Sequence, residues 1–305
     1  MRQRNAIVVL FWSFGLFLLM HVTTYLGALL AVLFSGASFD SIMNGQTSNY
    51  LTILGQGLTA GILGVFWIFL ITKFLWRRPW DWLCLRFNPR LLIYGFLLGA
   101  GMTIISLLAV NILGDVHIVA APGRYAVGEL TAIVLGSCGL VIFTAVAEEV
   151  VFRGMAVREW ATKWGWPLAA LLGGVYFGIA HVIGLLPNIG IVDILWIILA
   201  AVIGNLVFVA LYVRGRSLWL PIGYHVGWNL FLNVIFSATM SGKESKLGLW
   251  ITELSGPVSI TGGTFGVEAS AVTMVLSLVL SLLAVGLFRS RKPNLLSPAS
   301  EETTP

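Results

Sequence analysis

Long apolar runs alternate with short polar turns rich in arginine along the whole of this 305-residue chain. A bilayer core of about 30 Å takes about 20 apolar residues of helix. Eight stretches reach that length: Ala6–Phe34, Leu51–Phe74, Leu91–Leu113, Leu130–Phe152, Pro167–Leu186, Ile191–Val213, Pro221–Ala238 and Ala271–Phe288. They predict an all-α fold, a polytopic membrane helical bundle of about eight transmembrane helices. The fifth and seventh stretches are the least apolar, because each holds a histidine. The opening run is too long for the apolar part of a cleaved signal peptide, so it reads as a retained first span.

Composition sharpens this picture. Hydrophobic residues make up 58% of the chain and charged residues 10%, with a mean hydropathy of +0.94. Soluble domains carry about 25% charged residues, so this chain cannot cover a water-facing surface. Its two cysteines, Cys84 and Cys138, lie in different settings and imply no disulfide framework. A net charge of +5 would point to nucleic acid only if the basic residues clustered on one domain face. Here they follow the turns, and no nucleic-acid partner is expected.

Cytoplasmic loops collect Lys and Arg, and that bias orients the bundle. Arg2 and Arg4, then Lys73, Arg77, Arg78, Arg86 and Arg90, then Arg153, Arg158 and Lys163, then Arg214 and Arg216, and finally Arg289, Arg291 and Lys292 share one side, fifteen of the eighteen basic residues. Both termini are then cytoplasmic. The chain divides into N-terminal spans over 1–129, with an interfacial loop at 76–90, a helical core over 130–239, an extracytoplasmic loop and last span over 240–292, and a disordered tail over 293–305. In the interfacial loop, Trp76, Trp80 and Trp82 among arginines suit the headgroup level.

An ionisable side chain inside the membrane marks a functional site by default. Of thirteen acidic residues, only Glu148 and Glu149 interrupt an apolar run. Neighbouring side chains point about 100° apart on a helix, so these two cannot do the same work. Glu149 and Arg153 are spaced i,i+4, the order that favours an ion pair, which would leave Glu148 free. His181 and His225 occupy two further spans, and Asn229 is one turn from His225 on the same face.

Depth is consistent with their meeting. If the fourth and fifth spans turn near Gly165, Glu148 and His181 both lie about 25 Å from the tip. His225 lies about 15 Å from a turn at Gly215. The chemistry would be that of a carboxylate general base beside imidazoles. Glu148 would take a proton from water, and His225 and Asn229 would donate to the oxyanion of a tetrahedral intermediate. A Glu–His–His set with an open position would also suit zinc, although neither histidine belongs to an i,i+4 His pair. Other polar residues read more plainly: His21, Asn111 and Asn205 as helix-packing groups, and His117 as a loop residue. Glu149–Arg153 is either a purely structural pair or a support for the site.

At these residues the sequence resembles the CAAX protease and bacteriocin-processing family of membrane-embedded endopeptidases, also described as the Abi or type II CAAX prenyl protease family. The family's Glu-Glu-x-x-x-Arg, Phe-x-x-x-His and His-x-x-x-Asn motifs read here as Glu148-Glu149-Val-Val-Phe-Arg153, Phe177-Gly-Ile-Ala-His181 and His225-Val-Gly-Trp-Asn229, in that order. The resemblance covers about 130–236. It also touches 255–271, a stretch to which no role is assigned.

The resemblance implies Glu148 as the base, His181 as a group positioning water or a metal, and His225 with Asn229 as the oxyanion site. Glu149 and Arg153 would brace the first motif. A divalent metal such as zinc would be held by Glu148, His181 and His225, or the mechanism would be metal-free. The implied activity is hydrolysis of a peptide bond in a membrane-associated or lipidated polypeptide, from the cytoplasmic half of a bacterial plasma membrane. Relatives are linked to bacteriocin maturation and self-immunity. A non-catalytic scaffold or immunity factor, or a proton-coupled transporter, would carry similar buried polar groups.

Overall fold

The structure is a computed structural model that describes residues 5–35, 50–77, 81–120, 125–243 and 248–286. The tail at 293–305 and Arg78, Pro79 and Trp80 of the second loop lie outside the described residues.

Helices form where the apolar runs predict them. They are α1 (Ala6–Ser35), α2 (Tyr50–Leu70), α3 (Pro89–Leu113), α4 (Val127–Glu148), α5 (Arg158–Ile183), α6 (Ile191–Gly215), α7 (Trp219–Asn229) and α8 (Ala271–Gly286). Three of them continue or join through wider π-helical segments, Ile71–Leu75 after α2, Glu149–Val157 between α4 and α5, and Leu230–Ile235 after α7. Asn88 caps α3, its side chain accepting from the Leu91 amide at 3.2 Å, and Pro89 follows at the first helical position.

Among the described residues, five stretches are long and apolar enough to cross a membrane: Ala6–Leu30, Tyr50–Phe74, Pro89–Leu113, Val127–Ile183 and Ile191–Gly215. The fourth runs for 57 residues but is not one rod. Gly165 adopts φ 77° and ψ 164°, a left-handed, extended conformation that glycine alone takes easily, and Pro167 opens the helix beyond it. That break is the turn expected there. The shorter α7 and α8 coincide with the last two predicted stretches. The outward faces of the long helices carry exposed Ile, Leu, Val and Phe, from Ile7 and Phe11 on α1 to Ile112 on α3, a surface suited to lipid.

The all-α expectation needs one amendment. Strand β1 (Asp115–Ala120) pairs antiparallel with β2 (Ile251–Ser255), setting His117 opposite Glu253. Val116, Ile118 and Val119 are β-branched and the run is too short to span, so the segment after α3 extends instead of coiling. His117 is thus a strand residue, not a loop residue.

The arginine-bearing turns gather at one end of the bundle. The Leu218 amide and the Trp219 indole donate to the carbonyls of Cys84 and Leu85, each at 3.0 Å. Arg158 reaches Cys84 Sγ at 2.8 Å and the Tyr212 hydroxyl at 2.7 Å, and lies 4.5 Å over the Trp82 ring. Trp76 is fully buried within the protein, not exposed to headgroups as its loop position suggested. Arg153 is likewise buried in the bundle and is not a loop residue. At the opposite end, residues 236–243 and 248–270 pack against the bundle. The Gly242 amide donates to the Phe265 carbonyl at 3.2 Å, and the Trp196 indole to the Ala269 carbonyl at 2.7 Å.

Candidate active site

The adjacent carboxylates divide as the helical geometry requires. Glu148 closes α4, and Glu149 opens the π-helical segment. Such segments occur often at functional sites, because one extra residue per turn re-aims side chains. Glu149 and Arg153 are both fully buried, and Arg153 Nη1 donates to Glu149 Oε1 at 2.8 Å. The guanidinium lies between the Phe208 ring, 4.1 Å from its centroid, and the Phe177 ring, at 4.6 Å. Two aromatic faces and one carboxylate thus replace the water this cation gave up.

His225 is aimed by the way α7 packs. Gly95-x-x-x-Gly99 on α3 faces Gly223-x-x-x-Gly227 on α7, and the two backbones touch. A β-carbon on Gly227 would collide with the Phe96 carbonyl, and one on Gly99 with the Tyr224 carbonyl. Small residues on both sides let helices approach this closely. His225, on the other side of α7, then faces α4. Its Nδ1 lies 3.0 Å from Glu149 Oε1, and its Nε2 lies 3.8 Å from Glu148 Oε2. Glu149 Oε1, which accepts from Arg153 Nη1, also faces Nδ1, and Nε2 is turned towards Glu148.

Phe177 explains the spacing of the second motif. Its ring lies on Arg153, and its backbone carbonyl accepts from His181 Nδ1 at 2.9 Å. The two rings also contact each other, with centroids 4.3 Å apart. With Nδ1 bonded to a carbonyl, the neutral His181 ring keeps its lone pair on Nε2.

One cavity of about 740 Å³ is lined by Glu148, His181, His225 and Asn229 together. The four residues singled out from three spans therefore share one cavity, while Glu149 and Arg153 are not among its lining residues. Among the described residues, no three His, Cys, Asp or Glu side chains lie close enough together to hold a metal ion. Glu148, His181 and His225 do not make a three-ligand set in this arrangement.

Two contributors escaped the sequence reading. His21 lines the same cavity and copies the His181 arrangement. Its Nδ1 bonds the Phe17 carbonyl at 3.0 Å, its ring lies 4.3 Å from the Phe17 ring, and Phe17 packs on Phe152 as Phe177 does. The signal was present, since Phe17-x-x-x-His21 has the spacing of Phe177-x-x-x-His181. The second is the stretch at 255–271, whose Thr264, Phe265 and Glu268 line the cavity. Glu268 accepts from the Trp228 indole at 3.2 Å and from the Ser241 amide at 2.6 Å. Asn205, by contrast, is a packing group as read, donating from α6 to the Ala170 carbonyl of α5 at 2.7 Å.

Compared as a whole with curated proteins, the chain has no match. Residues 130–231, which hold all three motifs, match the model of the type II CAAX prenyl endopeptidase Rce1-like family, and over that third of its length the chain is similar to that family.

Proposed function

We propose that this protein is an intramembrane endopeptidase that hydrolyses a peptide bond of a membrane-associated or lipidated polypeptide. It would span the bilayer eight times, with both termini on the arginine-bearing side. The observation that carries the reading is the convergence of Glu148, His181, His225 and Asn229 on one cavity.

Glu148 takes a proton from water as that water attacks the scissile carbonyl, and later returns it to the leaving amine. The oxyanion that forms accepts from the Asn229 amide and from Nε2–H of His225. Because Nδ1 is committed to Glu149, a proton on Nε2 makes His225 an imidazolium. That state is balanced, since Glu148 and Glu149 then face His225 and Arg153 in a neutral set of four charges. Glu149 thereby supports the site through His225, besides pairing with Arg153. His181 offers the Nε2 lone pair, which can hold the attacking water or accept from the substrate's amide N–H.

The test uses the purified full chain in detergent with a library of lipidated and unlipidated peptides, and metal content is measured on the same preparation. Glu148→Ala should lose about 10²–10⁴-fold in rate, the usual contribution of a general base, while remaining folded. Cleavage by Glu148→Ala at the wild-type rate would end this mechanism.

A further inference from the structure

The cavity has a direction. None of its lining residues comes from the arginine-bearing end, neither from 76–90 nor from 150–166 or 209–219. On that side the residues that follow the lining Glu148, namely Glu149, Val150, Val151, Phe152 and Arg153, do not reach the cavity and are every one at 0% exposure. At the other end it is lined by Asn188 of the α5–α6 turn, by Ser241 and Lys243, and by Thr264. Asn188, Lys243 and Thr264 are exposed. The same end carries few basic residues, with fifteen of the eighteen assigned to the opposite side. Lys and Arg in short loops mark the cytoplasmic face.

We infer that the cavity opens away from the cytoplasm, and that the polypeptide it takes is presented on the extracytoplasmic face of the membrane. This rests on the proteolytic reading for the nature of the substrate, and it reverses the cytoplasmic entry expected from sequence. The rim chemistry agrees with such a guest. Amide, hydroxyl and ammonium groups ring the entrance, while Phe17, Leu140, Phe177 and Phe208 wall the interior. A segment leaving the bilayer would keep its polar backbone at the rim and its apolar side chains within.

The test needs no activity. In a Cys84→Ser, Cys138→Ser background, where serine keeps an acceptor for Arg158, single cysteines are placed at Asn188 on the rim, Thr144 on the cavity wall and Lys163 near the Gly165 turn. A membrane-impermeant maleimide should label Asn188→Cys and Thr144→Cys in right-side-out vesicles, and Lys163→Cys only after permeabilisation. Should Thr144→Cys prove misfolded, Asn233→Cys samples the same wall. Labelling of Lys163→Cys from outside, with the rim and wall positions silent until permeabilisation, would overturn the inference and leave the peptidase reading standing. Labelling as expected, with cleavage unaffected by Glu148→Ala, would do the reverse.

Discussion

The Glu149–Arg153 pair offers a decisive perturbation, because its structural and catalytic consequences can be separated. Arg153→Met keeps an unbranched, polarisable side chain between the Phe177 and Phe208 rings but leaves Glu149 buried without its cation. Breaking a buried pair from one side costs about 3–5 kcal/mol, so this variant should unfold far more readily than wild type. Glu149→Gln/Arg153→Met removes both charges from the floor. Replacing both members of a buried pair is often neutral, and the double variant should regain most of the lost stability.

Activity should not return with it. The Glu149 carboxylate that accepts from His225 Nδ1 at 3.0 Å becomes a neutral amide, which neither fixes the ring tautomer nor balances an imidazolium. Loss of a carboxylate in that position costs up to about 10⁴ in kcat in hydrolase triads, and a fall of at least about 10² is expected here on the same grounds. Thermal unfolding in detergent and peptide turnover on the same samples provide both measurements. A double variant that recovers stability and wild-type kcat together would show that the pair is only a brace.

Gly227→Ala should lower the unfolding temperature and abolish turnover, since the added methyl meets the Phe96 carbonyl and separates α3 from α7. Gly101→Ala, with open space at its β-carbon, should leave both unchanged in the same assays. His21→Leu should fold normally and cut peptide turnover by about 10²-fold, at the low end of what a positioned acid–base group supplies; full activity would return His21 to a packing role. Glu268→Ala removes the acceptor of Trp228 and Ser241, and should make residues 236–243 and 255–270 more susceptible to added protease, which limited proteolysis reads directly.

Helix positions and the meeting of three motifs were legible because both rest on periodicity and chain length. Apolar runs of about 20 residues fix spans, and matching counts either side of Gly165 put Glu148 and His181 at one level. What escaped has physical reasons. A π-helical turn differs from an α-helical one by a single residue, so the apolar pattern through Glu149–Val157 looks continuous. His21 resembles any lone histidine in a span until Phe152 is seen between Phe17 and Phe177. The burial of Trp76 and the service of 255–271 as a cavity wall depend on contacts between segments far apart in sequence, which no local window contains. The depth of Glu148 alone does not fix the entrance, because distance along a helix does not say which end of a bundle is sealed.

The sealed floor also bears on what the membrane can tolerate. A hollow of about 740 Å³ inside a helical bundle would be a hazard to an energised bilayer if it ran right through, since water threads carry protons down the electrical potential. In the proposed orientation the fully buried layer beneath it, bolted by an arginine between two phenyl rings, would act as an insulator. It would let a chamber within the lipid hold water without short-circuiting the gradient, and it would have to be dismantled for the same scaffold to work as a pump.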